Sequence, residues 1–326
     1  MRKLHVKETL RMIPALVPSA RVQTLSEVTD YNHDLMNIPE AWKSSKGKGI
    51  KVVVLDTGIP EHRDITVAGG APFTSETRLG IDMAGHATFC GGIIAATAGN
   101  GIGIKGIAPD VEDYYGAVLD KYGNGSTQAL IDGIYWAVDT IKADIINMSL
   151  GIPAVFSVDP ELEKACNYAY DNGVALFASA GNDSDDVNYP ARFDSVIAVA
   201  AVDRKQNLAD FSSRGPEVEF AAGGVDVFST YLNNTYASMS GTSFSCPAVA
   251  AVGALILAKH KDKTGLRLSP YDLRDELKKI SYDVGEDGRD NEFGYGIPVF
   301  SKDPLSPRKP KTQSFWKRLW NKIRMK

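Results

Sequence analysis

Short apolar runs alternate with stretches of helical periodicity between residues 50 and 300, and this alternation constrains the fold more than any other feature. The apolar runs are short enough to be buried strands, and they lie at residues 50–55, 113–119, 144–150, 174–179 and 195–201. The helical patterns lie at residues 86–98, 126–141, 160–172, 243–261 and 270–280. Such alternation predicts an α/β fold with a mainly parallel central sheet and helices on both faces.

The composition is that of a globular protein. The chain has 326 residues, of which 44% are hydrophobic and 23% are charged, so wholesale disorder and a disulfide scaffold are excluded. A net charge of -4 excludes a nucleic-acid binder that uses the whole chain. The charge is uneven, because residues 301–326 hold nine Lys or Arg and one acid, which leaves a net charge of -12 on residues 1–300.

Targeting signals and cysteines indicate the compartment. No apolar run reaches the ~18–20 residues of a membrane span, and no clean apolar stretch follows the basic N-terminal residues. Cys90, Cys166 and Cys246 have no metal-type spacing and are expected to be free thiols in a reducing compartment. Together these features predict a cytoplasmic protein.

Three polar residues follow predicted strands or begin predicted helices. Asp56 ends the first strand, His86 opens a helix after a glycine, and Ser243 opens the most apolar helix. An aspartate, a histidine and a serine are the residue types of a nucleophile, its general base and the group that orients the base. From the residues alone, turn or helix-cap roles for each of them stay open.

The sequence motifs around these three residues favour the catalytic role, because they resemble those of a known family. VLDTG at 54–58, GHATFCGG at 85–92 and GTSFSCPAVA at 241–250 look like the aspartate, histidine and serine motifs of the subtilisin-like serine proteases. The chain resembles that family across roughly residues 35–300. The resemblance implies a three-layer subtilisin-like α/β fold and a serine endopeptidase that works through an acyl-enzyme. It also implies that Ser243 is the nucleophile, His86 the base and Asp56 the orienting carboxylate.

Further substrate-site residues are implied by the same resemblance. ASAGN at 178–182 resembles the family's oxyanion segment, so Asn182 would hold the negative oxygen of the tetrahedral intermediate together with a backbone N–H. Two short segments resemble the strands that flank an extended polypeptide substrate. They comprise Gly123, Asn124 and Gly125, and Ser149, Leu150 and Gly151.

The glycine-rich segment GIGIKG at 101–106 has two interpretations. A dinucleotide site would need a strand before the segment and a helix after it, and here a helix precedes it, which argues against an oxidoreductase. In the subtilisin-like family the matching segment is a calcium loop. That resemblance implies a Ca²⁺ site with ligands from Asp64, Ala98, Asn100, Ile102 and Ile104.

The histidine motif departs from the family pattern, which keeps a non-catalytic binding module as the second hypothesis. Ala87 replaces the usual Gly after the histidine, and Phe89 replaces a second His. Neither change removes a catalytic group. Cys90 follows His86 by one helical turn, and we predict a buried free thiol whose bulky modification disturbs that histidine.

The two ends of the chain look different from its centre, so we divide it into 1–34, 35–300 and 301–326. The absence of a signal peptide makes the intracellular subtilisins the closest branch, and these carry an inhibitory N-terminal extension. RMIPA at 11–15 resembles the inhibitory string imperfectly, and Pro14 near the scissile position would resist cleavage. The resemblance therefore implies a zymogen whose first ~20 residues block the active site.

The C-terminal segment 301–326 combines basic residues with one apolar helical face. A basic amphipathic helix can contact an anionic membrane, nucleic acid or an acidic protein partner, and a solvated tail is the simplest alternative. The resemblance also leaves open a homodimer.

Overall fold

The structure is a computed structural model that describes residues 10–12, 21–22, 26–74 and 80–300. The predicted tail at 301–326 and most of the predicted extension therefore lie outside the described residues. The division of the chain into three parts stays a prediction.

Fifteen strands are present in the described residues. In chain order they are β1 Leu10–Met12, β2 Arg21–Val22, β3 Lys51–Asp56, β4 Val67–Pro72, β5 Glu112–Ala117, β6 Asn124–Gly125, β7 Ile145–Met148, β8 Leu150–Gly151, β9 Ala175–Ser179, β10 Val196–Val202, β11 Val218–Gly223, β12 Val227–Tyr231, β13 Thr235–Met239, β14 Ser281–Tyr282 and β15 Ile297–Pro298. Seven of them form the central sheet in the order β11-β10-β9-β7-β3-β5-β4, and every neighbouring pair is parallel.

Seven α-helices accompany the strands in the described part of the chain. They are α1 Asn32–Leu35, α2 Ile38–Ala41, α3 His86–Ala95, α4 Thr127–Trp136, α5 Pro160–Asp171, α6 Thr242–Thr264 and α7 Pro270–Ile280. Two predicted helices end early. The helix expected at 86–98 stops because Ala96 adopts an extended conformation, and the helix expected at 126–141 continues beyond Trp136 as a π-helical turn, Ala137–Ile141.

The helices cover the sheet in two groups. The long helix α6 packs against β7, β9, β10 and β11 and also contacts α3, while α4 and α5 pack against each other and against β3 and β9. Gly253 of α6 permits a close approach, since a Cβ there would lie 3.1 Å from the Phe177 ring on β9. The predicted three-layer α/β fold with a parallel central sheet is therefore confirmed.

The first residues of helix α6 lie at the candidate site, and the rest of the helix forms the centre of the core. Within the described ranges it is the one helix long and apolar enough, by length and composition, to cross a membrane, and 89% of its most apolar window is buried inside the protein. It begins at Thr242, immediately before the predicted nucleophile.

Two small sheets attach the N-terminal segment to this fold. β1 lies between β6 and β8, and β2 pairs with β13, antiparallel in both cases. Residues just after β2 also reach the core, where the Tyr31 hydroxyl donates to the Val225 carbonyl over 3.0 Å.

Candidate active site

The parallel sheet brings Asp56 and His86 into contact. Asp56 is the last residue of β3, and His86 is the first residue of α3. Nδ1 of His86 lies 2.8 Å from one carboxylate oxygen of Asp56 and 2.9 Å from the other. Gly85 makes the sharp entry to α3 possible, because its φ of 88° is in the left-handed region that a side chain disfavours. The carboxylate therefore fixes which ring nitrogen carries the proton.

Burial and the carboxylate act in opposite directions on the histidine. Burial alone would lower the pKa of His86, but the negative charge of Asp56 raises it well above the ordinary value of 6.5. Cys90 lies close, with its sulfur 3.9 Å from Nδ1, yet burial raises the pKa of its thiol. A neutral thiol adds no charge, so Asp56 is the cause of the raised pKa of His86.

Asp82 organises this corner, and the sequence analysis did not single it out. One of its oxygens accepts hydrogen bonds from the Gly85 N–H at 2.8 Å and the Thr57 hydroxyl at 2.9 Å. The other accepts from the N–H and the hydroxyl of Thr88. The side chain thereby ties the start of α3 to the residue that follows Asp56. The available signal was its position four residues before His86, just ahead of a predicted helix, where aspartates often cap the helix.

Ser243 lies in the first turn of α6 and is fully buried. Its hydroxyl donates to the Ser149 carbonyl at 3.4 Å, and its own carbonyl accepts from the Ser149 hydroxyl at 2.8 Å and from the Cys90 thiol at 3.4 Å. Nε2 of His86 has no hydrogen-bond partner among the residues that the structure describes. The structure thus joins Asp56 to His86 directly, and the hydroxyl of Ser243 is turned to Ser149 instead of to the histidine.

A buried chain of hydrogen-bonded side chains ends at the backbone of Ser243. The Cys246 thiol donates to Asn147 at 3.2 Å, and the Asn147 amide donates to the Ser149 hydroxyl at 3.0 Å. Ser149 in turn donates to the carbonyl of Ser243. Asn147 was not predicted, because an asparagine inside an otherwise apolar strand gives no sign of its partner.

Asn182 lies next to the start of α6. Its side-chain oxygen accepts from the N–H of Thr242 at 2.9 Å and from the Thr242 hydroxyl at 2.8 Å. These two bonds fix the amide plane beside the nucleophile, since Thr242 directly precedes Ser243. Gly241 allows the approach, because a Cβ there would lie 3.1 Å from the Asn182 amide nitrogen.

The two predicted substrate segments face each other across one strand. Asn124 and Gly125 form β6, which Gly123 precedes, and Leu150 and Gly151 form β8, which Ser149 precedes. β1 runs antiparallel to both, pairing Leu10 with Gly125, Arg11 with Asn124 and Gly151, and Met12 with Leu150. The gap between the segments thus has the width of one extended chain, and residues 13–15 of the string at 11–15 lie outside the described residues.

The predicted metal ligands come from two loops, with Asp64 before β4 and the other four on the loop after α3. The side-chain N–H of Asn100 donates to the carboxylate of Asp64 at 2.6 Å, and that carboxylate also accepts the N–H of Ile104 at 2.9 Å. The side-chain oxygen of Asn100 accepts the N–H of Ile102 at 3.0 Å. Ala98 lies just before, on the same loop. A carboxylate is a ligand type that Ca²⁺ prefers, whereas the Asn100 side chain presents its N–H to that carboxylate and its oxygen to Ile102.

Comparisons with known proteins agree with this geometry. The subtilase family (peptidase S8) matches residues 47–296. The chain is 42% identical over 289 residues to the minor extracellular protease Epr of Bacillus subtilis, which covers 86% of this chain and 43% of Epr. It is 42% identical over 257 residues to subtilisin DY of Bacillus licheniformis, which covers 77% of this chain and 88% of the relative.

A third relative is the thermostable alkaline protease of Halalkalibacterium halodurans, 42% identical over 254 residues, or 77% of this chain and 69% of the relative. The chain spans less than half the length of Epr but most of the length of subtilisin DY. The family match covers the three motif strings and the whole central sheet. The chain therefore belongs to the subtilase family of subtilisin-like serine proteases.

Proposed function

We propose that the protein is a serine endopeptidase that cleaves polypeptides through Ser243, His86 and Asp56. The hydrogen bond between His86 and Asp56 carries this proposal, because it occupies Nδ1 and leaves Nε2 to take the proton of a serine hydroxyl. Ser243 attacks the peptide carbonyl and forms an acyl-enzyme, while His86 returns the proton to the leaving amine. Water then repeats the sequence and releases the acid.

The hydroxyl of Ser243 has to turn before it can react. It contacts the Ser149 carbonyl at 3.4 Å in the described conformation, and rotation about χ1 is the motion that would bring it to His86. In enzymes without bound substrate, the hydrogen bond between nucleophile and base is often long or poorly aligned, and it tightens when substrate binds. We expect the substrate carbonyl to favour the turned conformation.

Asn182 and the start of α6 would stabilise the tetrahedral intermediate. The amide of Asn182 is held by Thr242, and the backbone N–H of Ser243 belongs to the first turn of α6, where the N–H groups lack partners within the helix. Both donors are fixed before substrate arrives, so little reorganisation accompanies the reaction. Asn182→Ala should therefore lower kcat more than it raises KM.

The substrate would lie as an extended strand between β6 and β8. The antiparallel pairing of β1 with both strands supports this, since any polypeptide backbone can make the same hydrogen bonds. We further propose that β1 is an inhibitory segment of the kind found in the intracellular subtilisins. It uses the backbone edges that a substrate needs, so the full chain would be a zymogen.

Replacement of the nucleophile tests the catalytic proposal. Ser243→Ala should abolish both peptide hydrolysis and labelling by a serine-reactive fluorophosphonate. Ser245→Ala is the matched control, because Ser245 lies on the same helix and bonds only within the first turn, to the Thr242 carbonyl at 3.0 Å. Hydrolysis that survives Ser243→Ala would overturn the role of Ser243 as the nucleophile, and a wild-type protein that releases no peptide would leave only a binding role for the fold.

Removal of the extension tests the inhibitory role. A chain that lacks residues 1–20 should hydrolyse a peptide substrate at a higher initial rate than the full chain does. Equal initial rates before any self-cleavage would overturn the inhibitory role and leave the catalytic proposal standing.

We propose that Asp64, Asn100 and the carbonyls of Ala98, Ile102 and Ile104 hold a Ca²⁺ ion that stabilises the loop. The carboxylate of Asp64 supports this arrangement, because it contacts the loop that carries Asn100 and Ile104. A chelator should lower the unfolding temperature of the wild-type protein and leave that of Asp64→Asn unchanged. An equal effect on both proteins would remove the site.

Location and partners stay predictions that simple measurements can test. Three free, buried cysteines support a cytoplasmic protein, which cell fractionation would check. Sedimentation would test the homodimer. Flotation with anionic vesicles, with and without residues 301–326, would separate a membrane contact of the tail from nucleic-acid or acidic-protein binding.

A further inference from the structure

A cavity of about 290 Å³ lies at the edge of the central sheet opposite the catalytic residues. Its wall is formed by the start of β3, the segment before β7, and the end of α6 with the loop that follows. Lys51 begins β3 and lines the cavity, whereas Asp56 ends the same strand. A strand of this length separates the two by about 17 Å. The cavity is therefore distinct from the active site.

The cavity wall is strongly cationic. It holds Lys51, Lys142, Lys261 and Arg267 with a single acid, Asp144. Arg267 and Asp144 form an ion pair at 2.9 Å and neutralise each other, so three lysine charges remain. Residues 1–300 as a whole carry a net charge of -12. Such a concentration of positive charge in an acidic body is expected to attract an anion to this place.

The backbone holds two of these lysines in fixed positions. The ammonium of Lys261 donates to the Gly49 carbonyl at 2.8 Å, and that of Lys51 donates to the Ile141 carbonyl at 3.1 Å. A carbonyl orients an ammonium group without cancelling its charge, and each lysine keeps further N–H donors. Lys142 also lines the wall, and its own backbone is in the left-handed conformation, with φ of 57°. The charges are thus arranged in advance of a ligand.

The same cavity has an apolar side. Ile50 and Leu257 line it and are almost fully buried, and Leu268 lines it with partial exposure. Leu266 also lines the cavity and is 67% exposed. A bare inorganic ion would not cover the exposed side chain of Leu266. The wall therefore suits a ligand that has both a charged and an apolar part.

We propose that this cavity binds a small molecule in which a phosphate group is attached to an apolar body. Three ammonium groups match the multiple charge of a phosphate, which lysines bind as point charges. The volume is near the lower limit of small-molecule sites and excludes a folded partner. Binding would connect the end of α6 to the starts of β3 and β7, so it stabilises the fold without contacting the substrate.

Titration of the full chain with phenyl phosphate tests the proposal, with phenol as the uncharged counterpart. Ser243→Ala is used as the background in every sample, so that self-digestion does not disturb the calorimetry. We expect saturable binding of phenyl phosphate and none of phenol. Lys142→Gln combined with Lys261→Gln should weaken binding at least about ten-fold, because two charges beside the phosphate are lost. Phenyl phosphate should also raise the unfolding temperature of the background protein and not that of the double variant.

The matched control is Lys259→Gln combined with Lys263→Gln, which removes the same amount of charge from the helix that holds Lys261, at residues that do not line the cavity. This control should bind phenyl phosphate as tightly as the background protein. The unfolding temperature of each variant without ligand shows that it is folded. Absence of saturable binding, equal weakening in both double variants, or equal binding of phenol would each overturn the proposal.

Discussion

His86 and Asp56 form a buried pair in which one imidazole nitrogen faces both oxygens of one carboxylate, at 2.8 and 2.9 Å. Neither side chain is more than 2% exposed. The charge of the carboxylate is therefore little screened by water, and it raises the pKa of the imidazole against the opposing effect of burial. This pair sets the pH range in which the proposed chemistry can run.

The pH profile of hydrolysis should reflect this pair. Only neutral imidazole can take the serine proton, so kcat/KM should rise with pH and reach half its maximum above the ordinary histidine pKa of 6.5. Asp56→Asn removes the charge that raises the pKa, so this midpoint should move to lower pH while the rate falls about 10⁴-fold. A midpoint that stays in place in Asp56→Asn would contradict the assignment.

Asp82 should position the catalytic pair without touching substrate. Asp82→Ala leaves the N–H groups of Gly85 and Thr88 without their acceptor, which should cost about 1–3 kcal/mol of unfolding free energy. It should also lower kcat up to about 10²-fold by displacing His86, with KM nearly unchanged. Asp82→Asn keeps an acceptor oxygen and should restore part of both losses. Chemical unfolding in the Ser243→Ala background and steady-state kinetics measure the two effects.

Asp113 should make the protein less stable as pH rises from about 4 to about 8. Burial raises the pKa of this carboxyl from 3.8 to about 8, and the Tyr115 hydroxyl offsets only part of that effect. Between these values the folded protein binds a proton that the unfolded chain has released. The free energy of unfolding therefore falls as pH rises from about 4 to about 8, by an amount on the order of 5 kcal/mol in total.

Asp113→Asn removes this pH dependence, because the amide has no proton to lose in that range. As pH rises, the free energy of unfolding of the Ser243→Ala protein should approach or fall below that of the double variant Ser243→Ala with Asp113→Asn. Glu112→Gln, at an exposed residue of the same strand, is the control and should leave the slope unchanged. A slope that is the same with and without Asp113 would contradict the expectation.

A bulky group on Cys90 should inactivate the enzyme. The Cys90 sulfur lies 3.9 Å from Nδ1 of His86 and donates to the carbonyl of Ser243, so an attached mercurial would displace both. Activity should fall in proportion to labelling of Cys90, and Cys90→Ala should resist. Cys166→Ala, which removes a buried thiol from α5, should stay sensitive. Full activity after confirmed labelling of Cys90 would refute the prediction.

Leu10 should help hold β1 between β6 and β8. Its side chain is fully buried, whereas that of its neighbour Arg11 is exposed. Leu10→Lys places a charge in a buried position, so β1 should bind less well and the initial rate of the full chain should approach that of the truncated chain. Arg11→Ala is the matched control and should keep the low rate. If both variants keep the low rate, β1 does not limit activity.

Local patterns predicted the layers and the five inner strands of the sheet, because parallel strands that are buried on both faces have continuous apolar runs. The two edge strands, β4 and β11, were not predicted. The structure has Asp56 at the end of β3 and His86 at the start of α3, where the strings placed them. Helix ends were less predictable. The residues that end α3 are small and apolar like those within it, and only the loop that follows stops the helix at Ala95.

Residues that act through tertiary contacts could not be predicted. Asp82 and Asn147 are single polar residues with partners distant in the chain, Thr57 for Asp82 and Cys246 for Asn147. The cationic cavity combines Lys51, Lys142 and Lys261, which are about 90 or more positions apart in the chain. A sequence window contains only one of them at a time. Their convergence follows from the parallel order of the strands, which brings the starts of β3 and β7 beside the end of α6.

Because β1 is covalently joined to the domain whose cleft it fills, its pairing with β6 and β8 is an intramolecular equilibrium. Dilution does not shift such an equilibrium, and a free peptide must compete with an effective concentration of about millimolar or more. The balance changes only when the chain is cut or the strand leaves its place. In the proposed inhibitory role, a single hydrolytic event would therefore convert β1 from a tethered competitor into a separate fragment that dilution can remove.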